Sequence, residues 1–552
     1  MPYRSEAELK VAELRCEHLK DPLGVGSARP LLSWRLTGDV VRQNAYQVTV
    51  ELVDALGKAV VPVWDSGRVA SQSMQAVYAG PALESRARYR WWVTVEAHSA
   101  TPSAKPASEA GGGGTATGYF EMGLLDEADW TSGWWSAAGQ WSGRSLQFRL
   151  PFVVDVALVG ARAYICGLGY HVLSVNGSRV ADRVLEPAWT EYEARCAYST
   201  YDITKFLTTG DNVVGVTVGN GWHGRPILRA QIELLYADGR REIVSDGDWP
   251  WTVSAGPILR NDVLDGETYD ARLEQPYWDS PGYVASPLRW IPARADRGPS
   301  GRMVSPSMEP IRVVEELAPV STAESIAPAE SRDVFNPGPA SDSKQGRAFL
   351  FDFGVNMAGW CRIAVRGNAG AVVIVEFAET LHDGFPDREN FRTAGARCVY
   401  VLRGAPGLAS GITPGGDPPG TEVYEPAFCY FGFRYAMVTV SDPATEFVSV
   451  TARRVRSGIA RTGAFASDNQ QLNLLWEMVV RTEENNLHGL PTDCPQRDER
   501  MAWLNDMRVR AECALYAFDL EGLYRKWLDD ISDAPDPVSG AVPDTAPYRW
   551  GV

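Results

Sequence analysis

The chain has 552 residues, 45% of them hydrophobic, and a net charge of −16. That length is more than one hydrophobic core serves, so roughly three to five domains are expected. The acidic balance argues against a nucleic-acid or anionic-membrane partner, because both need a basic surface, and no run of about 18 apolar residues offers a membrane span.

The opening stretch, MPYRSEAELKVAELRCEHLKDP, carries charges throughout and holds no apolar core of signal length. The eight Cys are scattered singly, at 16, 166, 196, 361, 398, 429, 494 and 513, with no CxxC pair. Isolated thiols of this kind fit a reducing compartment, and a cytoplasmic protein is the expectation. Short alternating runs come next, such as AYQVTVELVD (45–54) and ARYRWWVTVEAHS (87–99). In the second, Tyr89, Trp91, Val93 and Val95 share one face, and Arg90, Trp92, Thr94 and Glu96 the other. Strands of this spacing predict a sandwich of immunoglobulin or fibronectin type over 1–126. Its insert at 99–118 has the composition of a flexible loop.

A second β region is expected over 127–300. Its clearest signal is HVLSVNGSRVAD (171–182), where Asn176-Gly177 between apolar-alternating runs predicts a type I′ hairpin. The same Asn-Gly-Ser letters form a glycosylation acceptor pattern, which the hairpin reading outweighs where no signal peptide precedes it. GNGWHG (219–224) reads as a Gly-rich turn with a packed Trp in preference to a ligand site. Residues 293–345 read as a long connection. A third β region, expected over 301–460, holds FLFDFGVNMAGWCRIAVRG (349–367), AVVIVEFAE (371–379) and YFGFRYAMVTV (430–440), with turn chemistry at 404–420.

Near residue 467 the period changes to that of a helix. SDNQQLNLLWEMVVRTEENNLHG (467–489) places Leu472, Leu475, Trp476, Met478 and Val479 at helical spacing. Ser467 or Asp468 is the expected N-cap, with Gly489 and Pro491 as the stop. Further helices fit 503–518 and 520–531. Three helices in 461–552 make a poor core, so an unfinished domain with exposed apolar helix faces is the expectation.

PTDCPQRDERMAW (491–503) joins the first two helices and gathers Asp493, Arg497, Asp498, Glu499 and Arg500. On residue types alone such a cluster reads first as helix caps and exposed ion pairs. The alternative is chemistry. Asp506 would project from the first turn of the next helix and Glu499 from the loop before it. Crowded carboxylates push their pKa values apart, so that one stays protonated while another stays charged. Trp503 offers an apolar face to a sugar ring. One acid, one base and aromatic platforms are the parts of glycoside hydrolysis. His488, Asp493 and Cys494 as metal ligands lack a second Cys or His at ligand spacing, and Cys494 as a nucleophile lacks a well-placed base. No Walker or dinucleotide fingerprint occurs in strand–helix context, so neither a metal nor a cofactor is expected.

The stretch LPTDCPQRDERMAWLNDMRVRAECALYAFD (490–519) resembles the signature of the bacterial α-L-rhamnosidases of glycoside hydrolase family 78. The segments 167–204, 351–363 and 424–435 resemble that family's jelly-roll module and the β-sandwich before its catalytic barrel. The resemblance implies a mainly β multidomain chain followed by the first helices of an (α/α)6 barrel. It also implies inverting hydrolysis of terminal α-L-rhamnose from glycosides. On that carry-over Glu499 is the general acid, Asp493, Arg497 and Asp506 bind sugar hydroxyls, and Trp503 packs against the ring. The family's general base is a Glu further along its barrel, so the 552 residues as given are expected to be inactive or nearly so. Where the family usually has Gly, this chain has Ala502 and Asn505; Ala is tolerated there at negative φ and costly at positive φ. The rival readings are a carbohydrate-binding protein built from the β modules and another (α/α)6 hydrolase with a different sugar.

Overall fold

The computed structural model describes residues 10–37, 40–99, 116–245, 251–326, 347–404 and 420–548. The loops expected at 99–118 and 404–420, and the later part of the connection at 293–345, lie largely outside the described residues. The architecture is mainly β, with three α-helices among the described residues, all after residue 469.

The first β unit sets a three-stranded sheet against a five-stranded one. Strand Arg88–Ser99 runs antiparallel to Val40–Val53 at the centre of the larger sheet. The alternation holds: Tyr89, Trp91, Val93 and Val95 are buried with Leu32, Trp34, Val48 and Val50 in one core. The second unit packs two six-stranded sheets face to face. Leu146–Val154 pairs along its whole length with Gly210–Gly219, and Phe148, Leu150 and Phe152 bury against Ile165, Leu228 and Ile232. Asn176 and Gly177 both have positive φ, 50° and 79°, as a type I′ turn requires. The Asn176 amide is spent on this turn. It donates to the Phe206 carbonyl and to Asn212 Oδ1, and accepts the Val213 N–H at 2.8 Å.

The third unit is a ten-stranded sheet built on the 20-residue strand Arg347–Arg366. Two stretches from earlier in the chain join it. Gly266–Asp270 pairs parallel with Arg397–Val401, and Ile311–Leu317 pairs antiparallel with Glu446–Ser457. The second and third units are therefore stitched together by backbone hydrogen bonds.

The helices are α1 (Gln470–Glu484), α2 (Leu504–Ala517) and α3 (Glu521–Asp533). The N-cap of α1 is Asn469, one residue past the expected Asp468; its side chain accepts the Gln471 N–H at 3.0 Å. Helix α1 ends at Glu484, before Gly489 and Pro491 are reached. Its burial inverts the usual amphipathic logic. Leu472, Leu475 and Met478 are exposed, while Val480, Glu483 and Glu484 are buried. Val509, Leu515 and Tyr516 on α2 and Leu528 on α3 are exposed as well.

The buried face of α1 is held by charge. Glu484 takes Arg454 at 2.6 Å, Arg456 at 3.2 Å and Arg461 at 2.8 Å. Burial opposes its ionisation, but the three guanidiniums prevail and hold its carboxyl down to about 2. A folded value below the unfolded one means stability that is full above about pH 4.5 and lost as pH falls toward about 2. Urea unfolding across that window should show wild-type stability falling with acid. Glu484→Gln should flatten the slope by about one proton, and an unchanged slope would show that Glu484 does not anchor α1.

Helix α3 is fastened to the first and second units. Buried Arg195 reaches Asp529 at 3.3 Å, Asp530 at 2.9 Å and also Asp533. Lys526 pairs with Asp530 at 2.6 Å and donates to the Trp189 carbonyl. Arg15 meets Asp519 at 2.7 Å and Arg525 meets Glu17 at 3.1 Å.

Candidate active site

The connection between α1 and α2 is pinched at its neck. Asp493 N–H donates to the Met501 carbonyl, and Met501 N–H donates to Asp493 Oδ1, both at 2.9 Å. Residues 494–500 stand out between these two points. Two features seat them. Gly432 on the strand Phe431–Val440 has no side chain; a Cβ there would lie 2.8 Å from both Pro495 Cγ and Gln496 Cβ. Arg500, fully buried and with φ of 59°, turns inward beneath the loop. Its guanidinium donates to the carbonyls of Val263 at 2.7 Å, Gln496 at 3.0 Å, Arg497 at 3.1 Å and Tyr430. It also lies over the Tyr430 and Phe431 rings. One side chain thus joins the second unit, the third unit and the loop.

Above this base the carboxylates converge. Arg497 bridges Asp493 Oδ2 at 3.3 Å and Glu499 Oε2 at 2.8 Å. A second guanidinium reaches the same Glu499 oxygen: Arg392, from a loop of the third unit, at 2.6 Å. Arg392 also binds Asp498 Oδ1 at 2.6 Å, and Thr393 donates its N–H and hydroxyl to Asp498 Oδ2. The Glu499 side chain keeps 11% of its exposure and that of Asp493 only 3%, so Glu499 is the more reachable of the two. Burial pushes the Asp493 carboxyl up. Hydrogen bonds from Cys494 and Met501 oppose that push, while the charge of Glu499 adds to it. Asp498 is held down: partial burial would raise it, but the Thr393 and Arg392 contacts outweigh that.

The other candidates sort clearly. His488 is buried, stacks on Tyr430 at 4.1 Å and binds the Val455 carbonyl through Nε2 at 2.9 Å. Burial lowers it to about 3, which fixes it as a neutral packing residue. Burial, then the Asp493 charge, pushes the Cys494 thiol up to about 12, and a thiol that rarely ionises is a poor nucleophile. The Asp493, Cys494 and Glu499 ligand atoms lie within 4.8 Å of one another. Two guanidiniums face the same carboxylates, however, and that setting suits hydroxyl groups better than a cation.

Trp503 occupies the N-cap position of α2 and packs in a cluster with Trp189, Leu490, Met501, Ala502 and Trp527. Trp222, from the GNGWHG turn, stacks on Trp189 at 4.6 Å, so that turn packs a Trp against the helical region. Asp506 sits exposed in the first turn of α2, and no hydrogen bond or ion pair joins it to the other four candidates among the described residues. Ala502 and Asn505 both avoid positive φ, so neither is strained in place of a glycine; the left-handed residue of the loop is Arg500. Arg392 and Thr393 were not legible in the sequence as parts of the site, and Arg500 was legible only as one charge of the cluster, not as its buried seat. The first two lie over a hundred residues upstream in a segment without a motif.

Four family models match in chain order. They are the Rha78A-like N-terminal immunoglobulin domain over 11–126 and the alpha-L-rhamnosidase N-terminal domain over 157–315. The bacterial alpha-L-rhamnosidase concanavalin-like domain matches 343–456, and the bacterial alpha-L-rhamnosidase 6 hairpin glycosidase domain matches 460–552. An alpha-L-rhamnosidase of Formosa agariphila is 30% identical over 94% of this chain and 55% of its own length. The solved alpha-L-rhamnosidase from Dictyoglumus thermophilum superimposes with a TM-score of 0.83 at 30% identity, over 99% of this chain and 60% of that one. The Streptomyces avermitilis alpha-L-rhamnosidase complexed with L-rhamnose gives a TM-score of 0.79 at 26% identity, over 98% of this chain and 66% of that one. The chain spans about half the length of the curated relatives it matches.

Proposed function

The chain belongs to the bacterial α-L-rhamnosidase family, and on that premise we propose that the protein hydrolyses terminal α-L-rhamnose from glycosides with inversion, Glu499 acting as general acid. The observation that carries this reading is the Glu499 carboxyl, paired with two guanidiniums and keeping 11% of its side-chain exposure, beside the Asp493 carboxyl, which keeps 3%. In the reaction the bond from the anomeric carbon to the leaving oxygen breaks. Glu499 gives that oxygen a proton. Water adds to the anomeric carbon and passes a proton to a base on the opposite face of the ring.

Asp493 is not that base. An inverting pair stands about 6.5–9.5 Å apart to admit the water, whereas Asp493 and Glu499 approach within 4.8 Å. Asp493 is also engaged by Met501 and Arg497. Its role is to hold the loop closed and, with Arg497 and Asp506, to bind sugar hydroxyls. Trp503 offers its ring to the apolar face of the sugar. Eight unpaired cysteines, seven of them buried, support a reducing, cytoplasmic setting.

The test is a panel of aryl glycosides with the natural gene product, the first-formed sugar being followed by NMR. Cleavage of the α-L-rhamnoside alone, with release of the β-anomer, is expected. Cleavage of a different glycoside while the rhamnoside is untouched would replace the substrate assignment, and release of the α-anomer would replace the inverting mechanism.

A further inference from the structure

The third β unit enters the site through the turn that follows Phe391. Phe391 is buried as an anchor. Arg388 pairs with Glu376 at 3.1 Å and donates to the Gly395 carbonyl across the loop, and Gly395 N–H donates to Asp265 at 3.0 Å. At the apex Arg392 adopts φ 56° and ψ −109°. That conformation lies outside the regions open to L-residues and persists only where surrounding contacts impose it. The contacts are those to the catalytic loop: Arg392 to Asp498 and Glu499, and Thr393 to Asp498.

We propose that Arg392 is a positioning residue for Glu499, and that with Arg497 it claims Oε2 so that Oε1 is the oxygen that carries and delivers the proton. The inference rests on the reading of Glu499 as the acid. Its basis is stereochemical. Oε2 accepts a hydrogen bond from Arg392 at 2.6 Å and has the Arg497 guanidinium in ion-pair contact at 2.8 Å, so positive charge crowds that oxygen and repels a proton from it. Both guanidiniums address one oxygen, and no hydrogen bond to Oε1 occurs among the described residues, so the carboxyl is held by one end and presents the other to a leaving group. The bidentate grip of Arg392 on Asp498 and Glu499 fixes the angle of that presentation, which a point charge does not do.

The experiment compares Arg392→Gln, Arg392→Lys and Glu499→Gln in the natural gene product on two rhamnosides, one with a nitrophenyl and one with an alkyl leaving group. An activated phenolate departs with little help, whereas an alkoxide needs the proton. Arg392→Gln should lower kcat about tenfold on the alkyl rhamnoside and little on the nitrophenyl one, with KM kept within about twofold on both. Arg392→Lys should fall between wild type and Gln on the alkyl substrate, and it answers the same question if the Gln variant does not fold. Equal losses on both substrates would mean that Arg392 only supports the fold, and no loss on either would remove it from the site. If Glu499→Gln itself shows no dependence on the leaving group, the acid assignment fails instead.

Discussion

Glu499→Gln in the natural gene product is expected to lower kcat on an unactivated rhamnoside by about 10²–10⁴-fold, the usual contribution of a positioned general acid. Glutamine has the shape of glutamate, and its amide oxygen can still accept from Arg392, which lies 2.6 Å from the native Oε2. What it lacks is an acidic proton. The loss should therefore fall on kcat while KM and the thermal midpoint stay close to wild type, because the clamp between Asp493 and Met501 and the hydroxyl contacts proposed for Asp493 and Arg497 remain. Turnover near the wild-type rate would exclude Glu499 as the acid.

The second large effect is on stability. Arg500→Met should cost about 3–5 kcal/mol, as expected when a buried, fully engaged charged group is removed and its acceptors are stranded. Four carbonyls on three separate segments lose their donor at once. The loop that carries Glu499 then loses its seat, so activity should fall along with the unfolding free energy. Lys at this position is a poor replacement, since one ammonium cannot address carbonyls spread around a planar fork. Denaturant unfolding measures the change; a loss under about 1 kcal/mol would show that packing of the Tyr430 and Phe431 rings, not the hydrogen bonds, seats the loop.

Much of the frame was legible because its signals are local. Alternation at 89–95 marked a buried strand face, Asn176-Gly177 marked a turn that needs two positive φ angles, and the change of period near 467 marked α1. Within the site, Asp493, Arg497 and Glu499 do converge, and they are close together in the chain. What stayed hidden depends on partners distant in sequence. Exposure of the apolar face of α1 was expected and is seen at Leu472, Leu475 and Met478, but the burial of Glu484 on its other side, among three arginines, was not legible. Nothing near Gly266–Asp270 announces that it joins the sheet of the third unit, because its parallel partner lies at Arg397–Val401. Arg392 carries no motif, and Arg500, though inside the quoted loop, matters only through what the fold lays beside it.

The ties between the two ends of the chain have a consequence for biosynthesis. Arg15 meets Asp519 across 504 residues, and Glu17 meets Arg525 across 508. At ribosomal speeds of about 5–20 residues per second, the first β unit waits roughly 20 to 80 seconds after its synthesis before its partner helices exist. During that interval it rests on the second unit, through Arg86 with Glu233 at 2.8 Å and Glu121 with Arg162 at 2.6 Å, while Arg15 and Glu17 lack their helical partners. Its docking onto the helical region is then among the last events of assembly, so a ribosome that pauses late leaves a nascent chain whose amino-terminal unit is tied to the second β unit but not yet to the helices.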